Sequence, residues 1–234
     1  VITALWWLCS SIPLLRSYRQ KYFSDADGHV VRNSFKRLGR TFIELTKEKH
    51  IFIFLLAFFF YIDGVYTVID MATAYGQALG LDSTGLLLAL LVTQIVAFPC
   101  VLIFSRLVKK IKPEAIITIC IAAYFCIAVY AYWLDTQFDF WLLAVLVGMF
   151  QGTIQALSRS YFAKIIPAEK SGEFFGIYDI CGKGASVIGT ALVSVLSQMT
   201  GSINIGVSAL SVMFLIGLVL FRYSAKLNAG RQTQ

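Results

Sequence analysis

The chain has 234 residues, 58% of them hydrophobic and 14% charged, with a mean hydropathy of +0.75. Soluble globular domains run about 45–50% apolar and about 25% charged, so this composition excludes an ordinary water-soluble core and indicates an all-α, multi-span membrane protein. A net charge of +7 would suggest a nucleic-acid partner in a soluble protein; here the basic residues gather in short loops with no interleaved exposed aromatics, which argues for orientation in a membrane and against nucleic acid.

Val1–Leu15 is apolar and contains Trp6 and Trp7. As a helix it reaches about 22 Å, short of a bilayer core of about 30 Å, so it reads as the end of a preceding span whose beginning lies outside this chain. Residues 16–49 are polar. Within them Phe35, Leu38, Phe42 and Leu45 recur at helical spacing with Lys36, Arg37 and Arg40 between them. That pattern predicts a basic amphipathic helix lying on an anionic membrane face, within a cytoplasmic central loop.

Six full spans follow: Ile51–Tyr75, Thr84–Leu107, Ala115–Leu134, Phe140–Ile166, Phe174–Leu196 and Ile203–Phe221. Pro99 predicts a kink in the second, Pro113 introduces the third, and Pro167 stops the fourth. Residues 50–222 thus form a six-helix unit, and 223–234 a polar cytoplasmic tail. Eighteen of the twenty Lys and Arg residues fall on one side of this map, in the loops 16–49, 108–114 and 167–173, at Arg106 and Lys164, and at the C-terminus. The positive-inside rule makes that side cytoplasmic. Arg159 and Lys183 remain within spans.

The first span contains LLAFFFYIDGV and the fourth LLAVLVGMFQGT, a faint match expected of a three-plus-three inverted repeat. The five cysteines lie in apolar runs without a CxxC pair, and no HExxH or nucleophile-elbow spacing occurs. Neither a metal, a cofactor nor an enzymatic constellation is therefore expected.

Charge inside a span is expensive and marks candidate functional residues. On the first span Asp63 and Asp70 stand seven apart with Tyr66 and Thr67 between them. A buried carboxylate there could carry a coupling proton, grip a substrate ammonium, or serve as a structural hydrogen-bond partner. On the fourth, Gln151, Gln155, Ser158 and Arg159 form a polar stripe. The Arg159 guanidinium needs a carboxylate, a carbonyl or water as partner; a substrate carboxylate would fit bidentately, and a salt bridge that latches one conformation is the alternative. On the fifth, Asp179 and Lys183 are four apart, the spacing of an ion pair within one helix or of a gate. Gly148, Gly152, Gly176, Gly182, Gly184 and Gly189 read as close-packing faces.

The stretches FYIDGVYTVIDMATAYG and GTIQALSRSYFAKIIPAEKSGEFFGIYDICGKG resemble the vacuolar-effluxer-like family of the major facilitator superfamily, bacterial permeases similar to the fungal autophagy-related vacuolar amino-acid effluxer. The resemblance covers most of the chain from Phe35 to Gly189. It implies a twelve-span transporter of which this chain is the C-terminal half, its first and fourth full spans lining a central cavity. Asp63, Gly64, Gln155, Ser158, Arg159, Ser160, Phe174, Phe175 and Gly176 match the family's text. Two departures stand out. SRLVKKIKP places Lys109 where the superfamily often has the acid of a Gly-x-x-x-Asp-Arg-x-Gly-Arg loop, and Thr190 follows Gly189 where a proline would be expected.

Together these readings describe a secondary transporter for a small organic, amino-acid-like solute. It would work by alternating access in a bacterial inner membrane, with the N-terminal half of the same transporter and the lipid bilayer as partners. The candidate site residues are Asp63, Tyr66, Thr67, Asp70, Gln151, Gln155 and Arg159, with Asp179 and Lys183 as a gating or charge pair. An exporter of drug-like compounds or sugars is the alternative within transport, favoured by the aromatic run Phe58–Tyr61. A non-transporting scaffold or receptor is the alternative outside it.

Overall fold

The computed structural model describes residues 1–18 and 30–232, without the side chains of 30–37 and 231–232. The described residues are helices and connecting turns, in two compact units, Val1–Arg37 and Leu38–Gln234. In the first unit, α1 (Ile2–Ser17) carries the apolar opening stretch, with Pro13 inside it.

The helix α2 (Val30–Lys47) realises the predicted amphipathic helix. The Phe35 side chain lies outside the described residues. From Leu38 onward α2 belongs to the second unit, where Leu45 and Thr41 are buried but Phe42 is 51% exposed. The buried side is fixed by polar contacts: Thr41 Oγ1 donates to Glu173 at 2.6 Å, and Lys170 Nζ pairs with Glu44 at 2.6 Å. This end of the helix is therefore docked on protein.

Six segments are long and apolar enough to cross a membrane. Three are single helices: α3 (Lys49–Ala78), α4 (Ser83–Leu107) and α6 (Gln137–Ile165). Helix α5 (Pro113–Tyr130) ends in a 3₁₀ turn at Ala131–Trp133. The other two segments are composite. Ala168–Thr200 contains α7 (Ser171–Lys183) and α8 (Val187–Thr200), and Ile203–Gly230 contains α9 (Ile203–Ser208) and most of α10 (Leu210–Gln232). The all-α polytopic architecture expected from the sequence is present. The helical ends follow local chemistry. Asp82 caps α4 by accepting the Gly85 amide at 2.8 Å, and Thr136 with Asp139 forms a reciprocal capping box on α6. Pro113 opens α5, and Gly201, at φ +69°, closes α8.

Pro99 lies inside α4, which continues through it. Two boundaries differ from the sequence reading. Helix α10 continues past Phe221 to Gln232, so much of the supposed polar tail is helical. The fifth segment is not one helix: it breaks at Gly184–Ser186, where Ser186 takes φ +74°. Thr190 Oγ1 bonds the Ser186 carbonyl in the first turn of α8, just after the break.

Helix α3 packs along α10, α4 along α6, and α5 against both α10 and α6, while α7 and α8 lean on α3. The α4–α6 approach depends on Gly148: a Cβ there would come within 2.6 Å of the Thr93 carbonyl oxygen. Aromatic side chains fill the centre. Phe54 stacks on Phe162 at 5.7 Å, Phe162 on Tyr178 at 4.9 Å, and Tyr178 on Phe58 at 4.1 Å. Tyr61 is buried and its hydroxyl shares a 2.6 Å hydrogen bond with the Ser158 hydroxyl, tying α3 to α6.

Candidate functional site

An open cleft of about 620 Å³ lies among α3, α6 and α7. Its lining includes Phe58, Tyr66, Gln155, Arg159, Tyr178, Asp179 and Lys183. Five of the nine candidate residues thus converge in one place. The stripe on α6 reaches the cleft because Gln155 and Arg159 are one turn apart on the same face. Arg159 lies eight residues, about 12 Å, from Gln151 at the middle of α6, toward the end rich in basic loops.

Arg159 Nη1 lies 3.1 Å from Asp179 Oδ1. The pair joins α6 to α7, and both side chains remain half-exposed, at 58% and 44%. The guanidinium also sits over the rings of Phe175, at 5.1 Å, and Tyr178, at 5.9 Å. Those rings favour a cation electrostatically and shape its approach. Lys183, one turn beyond Asp179, is exposed and has no carboxylate within 4 Å among the described residues. This differs from the expected Asp179–Lys183 pair. The helix ends at Lys183, and Asp179 instead meets the better fork-shaped donor on α6.

The remaining four candidates lie elsewhere. Asp63, at the middle of α3, is fully buried and does not line the cleft; both its carboxylate oxygens accept the Gly189 amide, at 3.2 and 3.1 Å. Thr67 and Gln151 line a second, smaller cavity of about 80 Å³ whose walls are largely apolar. Gln151 Nε2 there approaches Gln94 Oε1 at 3.5 Å, while Gln151 Oε1 and Thr67 Oγ1 find no hydrogen-bond partner among the described residues. Asp70 is exposed and lines neither cavity.

The aromatic run that begins at Phe58 does supply a wall of the cleft, but the sequence reading missed Tyr178, and Phe175 as a platform for Arg159. The run FFGIYD places aromatics at 174, 175 and 178 just before Asp179, a local signal for a lined charge. That Arg159 would sit over them depends on how two distant helices are rotated. The arrangement offers one fixed cation, one carboxylate and a second cation within an aromatic-walled, water-accessible cleft. Such a set can bind a small zwitterion or anion through paired charges. Among the described residues no cluster of His, Cys, Asp and Glu could hold a metal ion.

Residues 1–234 match the protein family described as "Vacuole effluxer Atg22 like". A protein of Bacillus subtilis (strain 168), the uncharacterized MFS-type transporter YxiO, is 46% identical over 222 residues, covering 95% of this chain and 52% of that protein. Autophagy-related protein 22 of Candida glabrata is 24% identical over 244 residues, covering 93% of this chain and 45% of its own length. Its counterpart in Cryptococcus neoformans var. neoformans serotype D is 25% identical over 238 residues, covering 92% and 43%. The chain spans about half the length of the curated relatives it matches.

Proposed function

The chain belongs to the Atg22-like vacuole effluxer family, and from that premise we propose that it supplies one half, the C-terminal one, of a secondary transporter for a small zwitterionic, amino-acid-like solute. The observation that carries this reading is the Arg159–Asp179 pair, 3.1 Å apart in an open cleft. An ion pair this exposed is worth at most about 1 kcal/mol, so little opposes its exchange for new partners. A substrate carboxylate takes over Arg159 in bidentate fashion, and its ammonium takes over Asp179. Phe58, Tyr66 and Tyr178 supply the apolar wall, and Lys183 adds attraction for the carboxylate end.

In this reading the cleft closes against the other half of the transporter, and the two rock about it in alternating access. Asp179, rather than Asp63, faces the ammonium, because Asp63 does not reach the cleft. Asp63 is left as the carrier of a coupling proton and as the anchor of α8. The basic loops face the cytoplasm, and the bacterial relative favours a plasma membrane over a vacuolar one.

The test is counterflow of labelled amino acids in proteoliposomes holding the full-length protein. Arg159→Ala and Asp179→Ala each abolish exchange, while Arg159→Lys retains part of it with weakened substrate affinity. Exchange at the parental rate in Arg159→Ala removes the pair from the site. Transport of neutral sugars or drug-like compounds, with no zwitterion competing, replaces the substrate class.

A further inference from the structure

A second cleft, of about 910 Å³, opens among the ends of α5, α6 and α10 at the basic face of the bundle. Lys112 stands just before α5, Lys164 in the last turn of α6, and Arg222 and Lys226 one turn apart on α10. All four are exposed, and among the described residues none lies within 4 Å of a carboxylate. Glu114 is the one acid in the lining, which leaves an excess of three positive charges. Beneath this rim is a polar floor: the buried Tyr161 hydroxyl accepts from Asn228 Nδ2 at 3.5 Å. Helix α5 begins in the same cleft without a side-chain cap, so its N-terminal dipole adds to the positive field. Tyr223, exposed beside Arg222, has the amphipathic character of residues found at a bilayer surface.

Four cations that line one cleft, without a carboxylate partner among the described residues, repel each other until an anion enters. We propose that this cleft is a binding site for a phosphate group, carried by an anionic phospholipid headgroup or by a soluble phosphate. Basic pockets between spanning helices are suited to such headgroups, and each Lys or Arg near the surface contributes about 1 kcal/mol of attraction. The site is separate from the Arg159–Asp179 cleft and does not depend on the solute assigned there.

The experiment is native mass spectrometry of the purified full-length protein, offered phosphatidylglycerol, phosphatidylcholine or inorganic phosphate. Phosphatidylglycerol adducts are expected to exceed phosphatidylcholine adducts, and to fall about tenfold or more in Arg222→Glu/Lys226→Glu, the loss of two such attractions. Arg222→Lys/Lys226→Arg retains them. A second pair, Lys112→Ala/Lys164→Ala, lies at helix ends and gives the same loss should the first variant fail to fold. Displacement of the lipid by millimolar inorganic phosphate, which then binds alone, assigns the site to soluble phosphate; no displacement assigns it to lipid. Equal retention of both lipids with no phosphate bound, or adducts unchanged by charge reversal in a folded variant, overturns the proposal.

Discussion

The carboxylate of Asp63, on α3, caps the N-terminus of α8 by accepting the Gly189 amide through both oxygens, at 3.2 and 3.1 Å. Ser186, the N-cap residue just before α8, makes no side-chain cap of its own among the described residues. Breaking a helix inside a bilayer frees amide groups that cannot be left without partners. Asp63 meets one of them from a neighbouring span, and its negative charge complements the positive end of the α8 dipole. A buried acid in the first full span and a break in the fifth are thus one feature.

This relationship separates two roles of Asp63 by experiment. Asp63→Asn keeps an oxygen for the Gly189 amide and is expected to fold. Asp63→Ala leaves that amide unpaired and destabilises by about 1–3 kcal/mol, lowering the thermal midpoint. If Asp63 also carries the coupling proton, Asp63→Asn abolishes gradient-driven accumulation in proteoliposomes while leaving passive exchange intact. Accumulation at the parental level in Asp63→Asn confines the residue to capping.

Gly189 is held to glycine by the same packing. A Cβ at this position would overlap Thr67 Oγ1 and stand 3.3 Å from Asp63 Oδ1. Gly189→Ala is expected to cost about 1–3 kcal/mol through overpacking. Thr67 Oγ1 has no hydrogen-bond partner among the described residues, so Thr67→Ala should be nearly neutral and should restore most of the loss when combined with Gly189→Ala. Thermal unfolding of the two single variants and the double variant measures the coupling; simple additivity contradicts the contact.

The six membrane-crossing segments were legible because each is a long apolar run ended by Pro, Gly or charge. Their contacts were not, because these depend on how each helix is turned about its axis. Asp179 illustrates the limit. Its neighbour at i+4, Lys183, is the partner that spacing suggests, yet Arg159, twenty residues earlier and on another helix, takes the contact. The break at Gly184–Ser186 was equally hidden. Gly182 and Gly184 fit a close-packing stripe as well as a hinge, and a serine gives no local hint that it will adopt φ +74°. The stripe Gln151, Gln155, Ser158 and Arg159 divides in the structure: Gln151 lines one cavity, Gln155 and Arg159 the other, and Ser158 is buried against Tyr61.

The Tyr61–Ser158 hydrogen bond, 2.6 Å and fully buried, clamps α3 to α6. Tyr61→Phe removes the hydroxyl and leaves Ser158 without its partner, at an expected cost of about 1–3 kcal/mol. Ser158→Ala strands the tyrosine in the same way. Removing both groups should cost less than the two single changes together, since neither hydroxyl is then left alone. Thermal midpoints of the three variants decide this, and a double variant as unstable as the sum contradicts a shared bond.

Ser186 carries strain that a single substitution can relieve. At φ +74° its Cβ crowds the following backbone, a cost of about 1–2 kcal/mol that glycine escapes. Glycine also loses about 0.5–1 kcal/mol of chain entropy on ordering, so Ser186→Gly should raise the thermal midpoint only slightly. A β-branched residue is worse placed there, and Ser186→Val should lower it clearly. The pair also tests whether the break between α7 and α8 works as a hinge. If the two half-helices pivot at Ser186 during transport, Ser186→Gly frees that pivot and speeds exchange in proteoliposomes, whereas Ser186→Val slows it. Unchanged exchange in both variants, with the midpoints moving as expected, makes the break a fixed feature of the fold.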